Sequence, residues 1–201
     1  MAQLHPILLD AAEGRLPGWA QVDKKRYAHL GRVADLMGQW AEGLGKSRKQ
    51  QARWRAAGYL HDALKNAPNK ELRIMVPERF ARLPGPVLHG PAVAVRLRVE
   101  GVQDKGLLRA VSYHTLGHAS LGRIGEALYV ADFLEPGRNL RNKWRGELRD
   151  RMPEDLDPVL REILRARIQH LLKRGRPVRR ETFGFWNRIA GGPSWARASE
   201  V

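Results

Sequence analysis

The chain predicts an all-α fold: a helical bundle over residues 1–140, with a basic C-terminal helical extension over 141–201 packed on the same domain. Three observations carry this reading. Apolar residues recur at spacings of three and four, whereas β-branched alternation at every second position is scarce. Glycine and proline gather between the periodic stretches and so punctuate them. No internal repeat or low-complexity tract competes with the pattern.

Taken in order, residues 3–12 read as a short opening helix, broken by Gly14, Pro17 and Gly18. A longer helix spans about 22–43, with Tyr27, Leu30, Ala34, Met37 and Trp40/Ala41 on one apolar row and His29, Val33, Leu36 and Trp40 on the next. His29 therefore falls on or near the buried face. A third helix, about 49–65, has a core face of Ala56, Ala57, Leu60 and Leu64 and carries His61, Asp62 and Lys65. Residues 66–90 are punctuated by Pro68, Pro77, Pro84, Gly85, Pro86 and Gly90 and read as irregular, with one short helix at 69–75. Pro91 suits the first position of a helix over 91–100, which puts His89 just before it. A helix over 104–114 ends at His114, and residues 117–122 form a loop. The 3-4 period of Ile124, Leu128, Ala131 and Leu134 predicts a helix over 123–134, with Asp132 on its last turn and Pro136-Gly137 ending it. Leu156, Leu160, Ile163, Leu164, Ile168 and Leu171 define an amphipathic helix over 154–173. Arg174, Arg176, Arg179 and Arg180 follow, Phe183, Phe185 and Trp186 are placed to dock a short last segment, and the stretch from Gly191 has little to hold it.

With 201 residues the chain can bury a core without staples. The absence of cysteine excludes disulfides, thiolate zinc sites and thiol nucleophiles. Neither a secretory leader nor an apolar run approaching about 18 residues is visible, so no membrane partner is expected and the cytoplasm is the expected location. The net charge of +15 attracts polyanions, whether nucleotides, polyphosphates or nucleic acid, and does not by itself separate them. An arginine-rich surface with no partner has the same composition. Oligomeric state is not legible.

The chemistry centres on His61-Asp62, an acid directly after a histidine at the end of the apolar run Trp54–Lys65. Imidazole and carboxylate together suit Zn, Mn or Fe better than Mg or Ca. Three other histidines stand at element ends or on buried faces, His29, His89 and His114, and Asp132 fits the same pattern. Each alone has an ordinary explanation: a hydrogen-bonded core histidine, a loop residue, a helix C-terminal cation, a buried salt-bridge partner. Jointly, six N/O groups suit two ions, with Asp62 able to bridge because a carboxylate has two oxygens. Two ions about 3.5–4 Å apart can hold a hydroxide between them and clamp both oxygens of a phosphoryl displacement. Trp54, Tyr59, Tyr113 and Tyr129 are aromatic enough to stack on a base, but their helical spacing equally suits a core, and no nucleobase pocket is identifiable.

The order His29…His61-Asp62…Asp132 resembles the HD superfamily of metal-dependent phosphohydrolases. The blocks Arg26-Tyr27-Ala28-His29, Leu60-His61-Asp62-Ala63-Leu64-Lys65, Leu88-His89-Gly90-Pro91, Tyr113-His114-Thr115 and Tyr129–Arg138 look like the YqeK-type symmetrical diadenosine tetraphosphate hydrolases over about residues 20–140. The resemblance implies an HD-domain helical bundle with two metal ions, iron first and Mn, Co or Zn as alternatives, that cleaves dinucleoside tetraphosphates to two nucleoside diphosphates. His29, His61, Asp62 and Asp132 would hold one ion, and Asp62, His89 and His114 the other. Asp62, Lys65 and Arg138 would serve catalysis; Lys65, Thr115, His118 and Arg138 would meet substrate, and Glu135 would orient ligands or phosphate. Two departures stand out: Leu30 where relatives carry a small hydroxyl residue, and Leu116-Gly117-His118 where they carry Thr-Gly-Arg. Histidine is a weaker, pH-dependent substitute for a phosphate-binding arginine. The alternatives are an HD phosphohydrolase acting on a nucleoside monophosphate, a cyclic dinucleotide or an alarmone, and a basic nucleic-acid-binding module with a structural metal site.

Overall fold

The computed structural model describes residues 3–137 and 142–195. Among these the secondary structure is helical: α1 (Pro6–Ala12), α2 (Lys24–Gly43), α3 (Arg48–Leu60), α4 (Asn69–Met75), α5 (Glu78–Ala81), a 3-10 turn (Gly85–Val87), α6 (His89–Val99), α7 (Lys105–Tyr113), α8 (Arg123–Leu134), α9 (Asn142–Asp150), α10 (Leu156–Lys173) and α11 (Arg180–Trp195). The starts of α2, α3 and α7 are set by side-chain caps. Asp23 accepts from the N–H of Arg26, Ser47 from that of Gln50 and Asp104 from that of Leu107, each satisfying a donor the helix itself leaves open.

The bundle is organised around α8. Every residue from Ile124 to Ala131 on it is buried, which marks a helix enclosed on all sides. It packs against α2, α3, α7, α9 and α10, and α1 closes over α3. The α2–α3 crossing is close because Gly58 has no side chain: a Cβ there would lie 2.5 Å from Ala34 Cα. α11 covers the loop after α7. Thr182 Oγ1 donates to the Leu116 carbonyl (2.7 Å), and fully buried Phe185 lies over Gly117. Gly117 takes φ +71°, and a Cβ on it would meet the Phe185 ring at 2.2 Å, so that loop position requires glycine twice over.

Several expectations need correction. The third helix ends at Leu60, with His61 as its cap, and does not run on to 65. From there the backbone tightens: Ala63 N–H donates to Leu60 O and Lys65 N–H to Asp62 O, and the turn is tied to Gln21, whose N–H donates to Ala63 O and whose carbonyl accepts from Asn66 N–H. His89 is the first residue of α6, entered from the 3-10 turn, where it was expected just outside. The stretch 66–90, expected to hold one helix, also holds α5 and the 3-10 turn. α9 was not anticipated, and the last segment is a helix of 16 residues. Tyr27, placed on a core row, is 43% exposed and donates its hydroxyl to the Gly14 carbonyl. Residues 196–201, most of the stretch expected to be held loosely, lie outside the described residues.

Candidate metal centre

Five elements deliver side chains to one buried point. α2 brings His29, the end of α3 brings His61 and Asp62, α6 brings His89, the end of α7 brings His114 and α8 brings Asp132. His29, His61, Asp62, His89 and His114 are all buried. The imidazoles face inward by Nε2. His29 and His61 approach at 3.3 Å, and His89 and His114 at 3.1 Å. Asp62 stands between the pairs. Its Oδ2 is 3.9 Å from His29 Nε2 and 3.7 Å from His61 Nε2, while its Oδ1 is 2.7 Å from His89 Nε2 and 3.2 Å from His114 Nε2. Asp132 Oδ1 completes the first group at 3.2 Å from His29 and 3.9 Å from His61.

The outer ring nitrogens fix the tautomers. His61 Nδ1 donates to Gly58 O (2.6 Å) and His114 Nδ1 to Val111 O (2.9 Å), so in the neutral rings Nε2 carries a lone pair. His29 Nδ1 faces Glu135 Oε1 at 3.3 Å, and Glu135 is itself held by Arg32 Nε (2.6 Å) and Gly137 N–H (2.9 Å). A carboxylate behind an imidazole is the usual device for orienting a metal-ligating histidine.

Electrostatics agree. Burial pushes His61 down to about 3 and His89 below its ordinary value, so both are neutral near pH 7. Burial pushes Asp62 the other way, but the imidazoles of His61, His114 and His89, in their positively charged forms, outweigh it and hold the carboxyl well below the usual range. His29 is depressed by burial yet raised overall by Asp132 and Glu135. Buried Asp62 Oδ1 has no hydrogen bond of proper direction despite its short distances. Converging lone pairs at about 3 Å repel unless a cation lies among them, and ligands about 2.0–2.2 Å from one ion sit at such separations from one another. The residues present therefore fit metal binding: His29, His61 and Asp132 form one group that could hold an ion, and His61, Asp62 and His114 another.

Two cavities open onto this cluster. One, of about 410 Å³, is lined by Arg26, Asp62, Lys65, His114, Thr115 and Arg167 among others. The other, of about 300 Å³, is lined by Asp23, Lys25, Arg26, His29, Arg32 and Asn66 among others. Lys65 Nζ is 3.7 Å from Asp62 Oδ1 and 3.3 Å from His89 Nε2, beside the cluster as expected, although from a turn. Thr115 Oγ1 is 3.0 Å from His114 Nε2. His118 lines neither cavity; it stacks on Tyr113 (centroids 4.3 Å) and accepts the Ser120 N–H. Arg138 lies outside the described residues. Of the aromatic candidates, Trp54 and Tyr129 are core, and Tyr113 lies between Phe80 and His118. Sequence reasoning gave no role at this site to Arg26, whose Nη1 donates to Asp62 Oδ2 at 2.8 Å, or to Arg32, Arg145 and Arg167. Only the position of Arg26, three before His29 on one helix, could have signalled it.

An all-helical body that gathers imidazoles and carboxylates from separate helices into one buried cluster defines a class of candidate metalloproteins. The HD domain family model matches residues 26–165, and the chain belongs to that family. It is 28% identical over 180 residues to the symmetrical bis(5'-nucleosyl)-tetraphosphatase of Bacillus subtilis (strain 168), covering 86% of this chain and 93% of the relative. It is 27% identical over 176 residues to the protein of the same name from Staphylococcus aureus (strain NCTC 8325 / PS 47), covering 83% and 88%. A predicted HD superfamily hydrolase involved in NAD metabolism from Clostridium acetobutylicum shares the fold, with a TM-score of 0.74 and 24% identity over 92% of this chain and 95% of that one. No helix among the described residues is long and apolar enough to cross a membrane.

Proposed function

We propose that the chain is a metal-dependent phosphohydrolase that cleaves diadenosine tetraphosphate symmetrically to two ADP. The observation that carries this is the position of Asp62, one carboxylate oxygen turned to His29 and His61 and the other to His89 and His114, in a family whose named relatives are symmetrical tetraphosphatases. His29, His61, Asp62 and Asp132 would hold one ion, and Asp62, His89 and His114 the other. The donor set lacks thiolate and suits Fe, Mn, Co or Zn; we take iron, which the resemblance of the sequence blocks implies. Ions bound there polarise phosphoryl oxygens and bring the pKa of water towards neutrality.

The chain's own residues do the rest. Arg26, Lys65 and Arg167 line the larger cavity and take the phosphate oxygens; a role for Arg138 rests on the resemblance of the sequence blocks alone. Thr115 contributes a hydroxyl beside His114. Phosphoryl transfer depends chiefly on positioning and charge neutralisation, which these groups supply. Water adds to an inner phosphorus as the bridging oxygen opposite departs, and each half of the substrate leaves as a nucleoside diphosphate. Two basic cavities reach the cluster, one at His29 and one at Asp62 and His114, and offer cations to a polyphosphate chain. We take the cytoplasm as the location of this work. The test is chromatography of products from metal-loaded protein and diadenosine tetraphosphate. ADP alone is expected; AMP with ATP in equal amounts, or no turnover, rejects the reading.

A further inference from the structure

The larger cavity does not end at its arginines. Phe133, Arg145 and Arg167 also wall a neighbouring cavity of about 320 Å³, completed mainly by Trp144, His170 and Leu171. That volume falls within the roughly 300–1,000 Å³ of small-molecule sites. The compartments differ in chemistry. The inner one presents Asp62, Asp132, Arg26 and Lys65; the outer one presents an indole, a phenyl ring and an aliphatic wall. Trp144 and Phe133 meet edge to face, with centroids 5.8 Å apart and planes at 84°. Two guanidinium groups stand at the boundary and both are anchored. Arg145 is buried, donates to the Phe133 carbonyl and lies 4.2 Å over the Phe133 ring. Arg167 donates to the Thr115 carbonyl at 2.9 Å and lies 4.9 Å over the Tyr129 ring.

An aromatic slot, then a pair of fixed cations, then a candidate metal cluster is the order in which a nucleotide presents base, phosphate chain and reacting phosphorus. We propose that the slot seats one nucleoside of the substrate, its base against Trp144, while Arg145 and Arg167 hold the phosphates that lead to Asp62. This rests on the dinucleotide reading given above. Stacking on an indole accepts any base, so the seat selects for a nucleoside over bare phosphate more than for one base over another.

The test is calorimetric titration of the metal-loaded full chain with ADP, and with inorganic pyrophosphate as the base-free probe. Trp144→Leu is expected to raise the Kd for ADP roughly 5- to 150-fold while leaving pyrophosphate unchanged. It is also expected to raise KM for diadenosine tetraphosphate with little change in kcat, and Trp144→Phe should keep most of the affinity. Unchanged ADP affinity in Trp144→Leu overturns the proposal. So does an equal loss for ADP and pyrophosphate, which marks a disturbed fold or cluster instead of a lost base seat. Binding is read without turnover. A wild-type protein that binds ADP through Trp144 yet does not cleave diadenosine tetraphosphate rejects the hydrolase reading and supports the seat.

Discussion

Asp62 turns each carboxylate oxygen towards a different pair of imidazoles, and its Oδ2 also accepts from Arg26 Nη1 at 2.8 Å. Asp62→Ala is expected to abolish hydrolysis and lower the metal content of the purified protein, measured by elemental analysis. Glu135 acts one step further out. Its Oε1 faces His29 Nδ1, and its Oε2 is pinned by Arg32 and the Gly137 N–H, so it sets the direction of the His29 ring. Glu135→Gln should weaken metal retention about 10- to 100-fold, read by competition with a chelator. At this scale the sequence was informative where a residue type is itself a signal. Six ligand-type side chains at the ends or buried faces of helices could be picked out and meet in one cluster. The arginines could not be, because in a chain with 36 lysines and arginines an Arg at position 145 or 167 resembles its neighbours until the fold brings it to the cavity.

Helix packing transmits directly to those side chains. Gly58 allows α3 to lie against Ala34 of α2, and its carbonyl accepts the His61 Nδ1 proton. Gly58→Ala should cost about 1–3 kcal/mol in urea denaturation through overpacking and should also impair metal binding, since α3 must shift. Asp104 caps α7 and pairs with Arg53 of α3, tying the helix that ends in His114 to the one that ends in His61. Burial raises its pKa, but the Arg53 hydrogen bond and the Leu107 N–H outweigh this and hold it below 3.8. A depressed carboxylate stabilises the fold fully above its unfolded value and loses that contribution as pH falls through the folded one. Asp104→Ala should therefore cost about 1 kcal/mol near neutrality, with the gap to wild type closing below about pH 3.8. Helices with a regular apolar period, such as α8, were readable to the residue. The end of α3 was not, because its apolar pattern continues through Ala63 and Leu64 while pairing with Gln21, distant in sequence, turns the backbone. α9 was missed because NKWRGELRD is dominated by charge, with few apolar residues to reveal a period.

Across the whole molecule, a charge of +15 surrounds a centre whose expected substrate is a polyanion. Raising ionic strength should raise KM for diadenosine tetraphosphate more than it lowers kcat, because salt screens the approach more than the buried contacts. RNA binding that survives Asp62→Ala with a steep salt slope would instead assign the charge to nucleic acid. The overall architecture was legible because helical periodicity and the His-Asp blocks point to the same fold. The family match runs to residue 165, inside α10, whereas composition alone puts the start of the basic extension at 141. What composition could not show is that α10 packs on α8 and sends Arg167 back to the cavity. The most direct measurement is metal stoichiometry by elemental analysis of the metal-loaded wild-type chain and its Asp62→Ala variant. Two ions per chain, with a marked loss in the variant, is the expected result. A wild-type chain that retains no metal, or a stoichiometry indifferent to Asp62, would contradict a paired-ion centre bridged by this carboxylate.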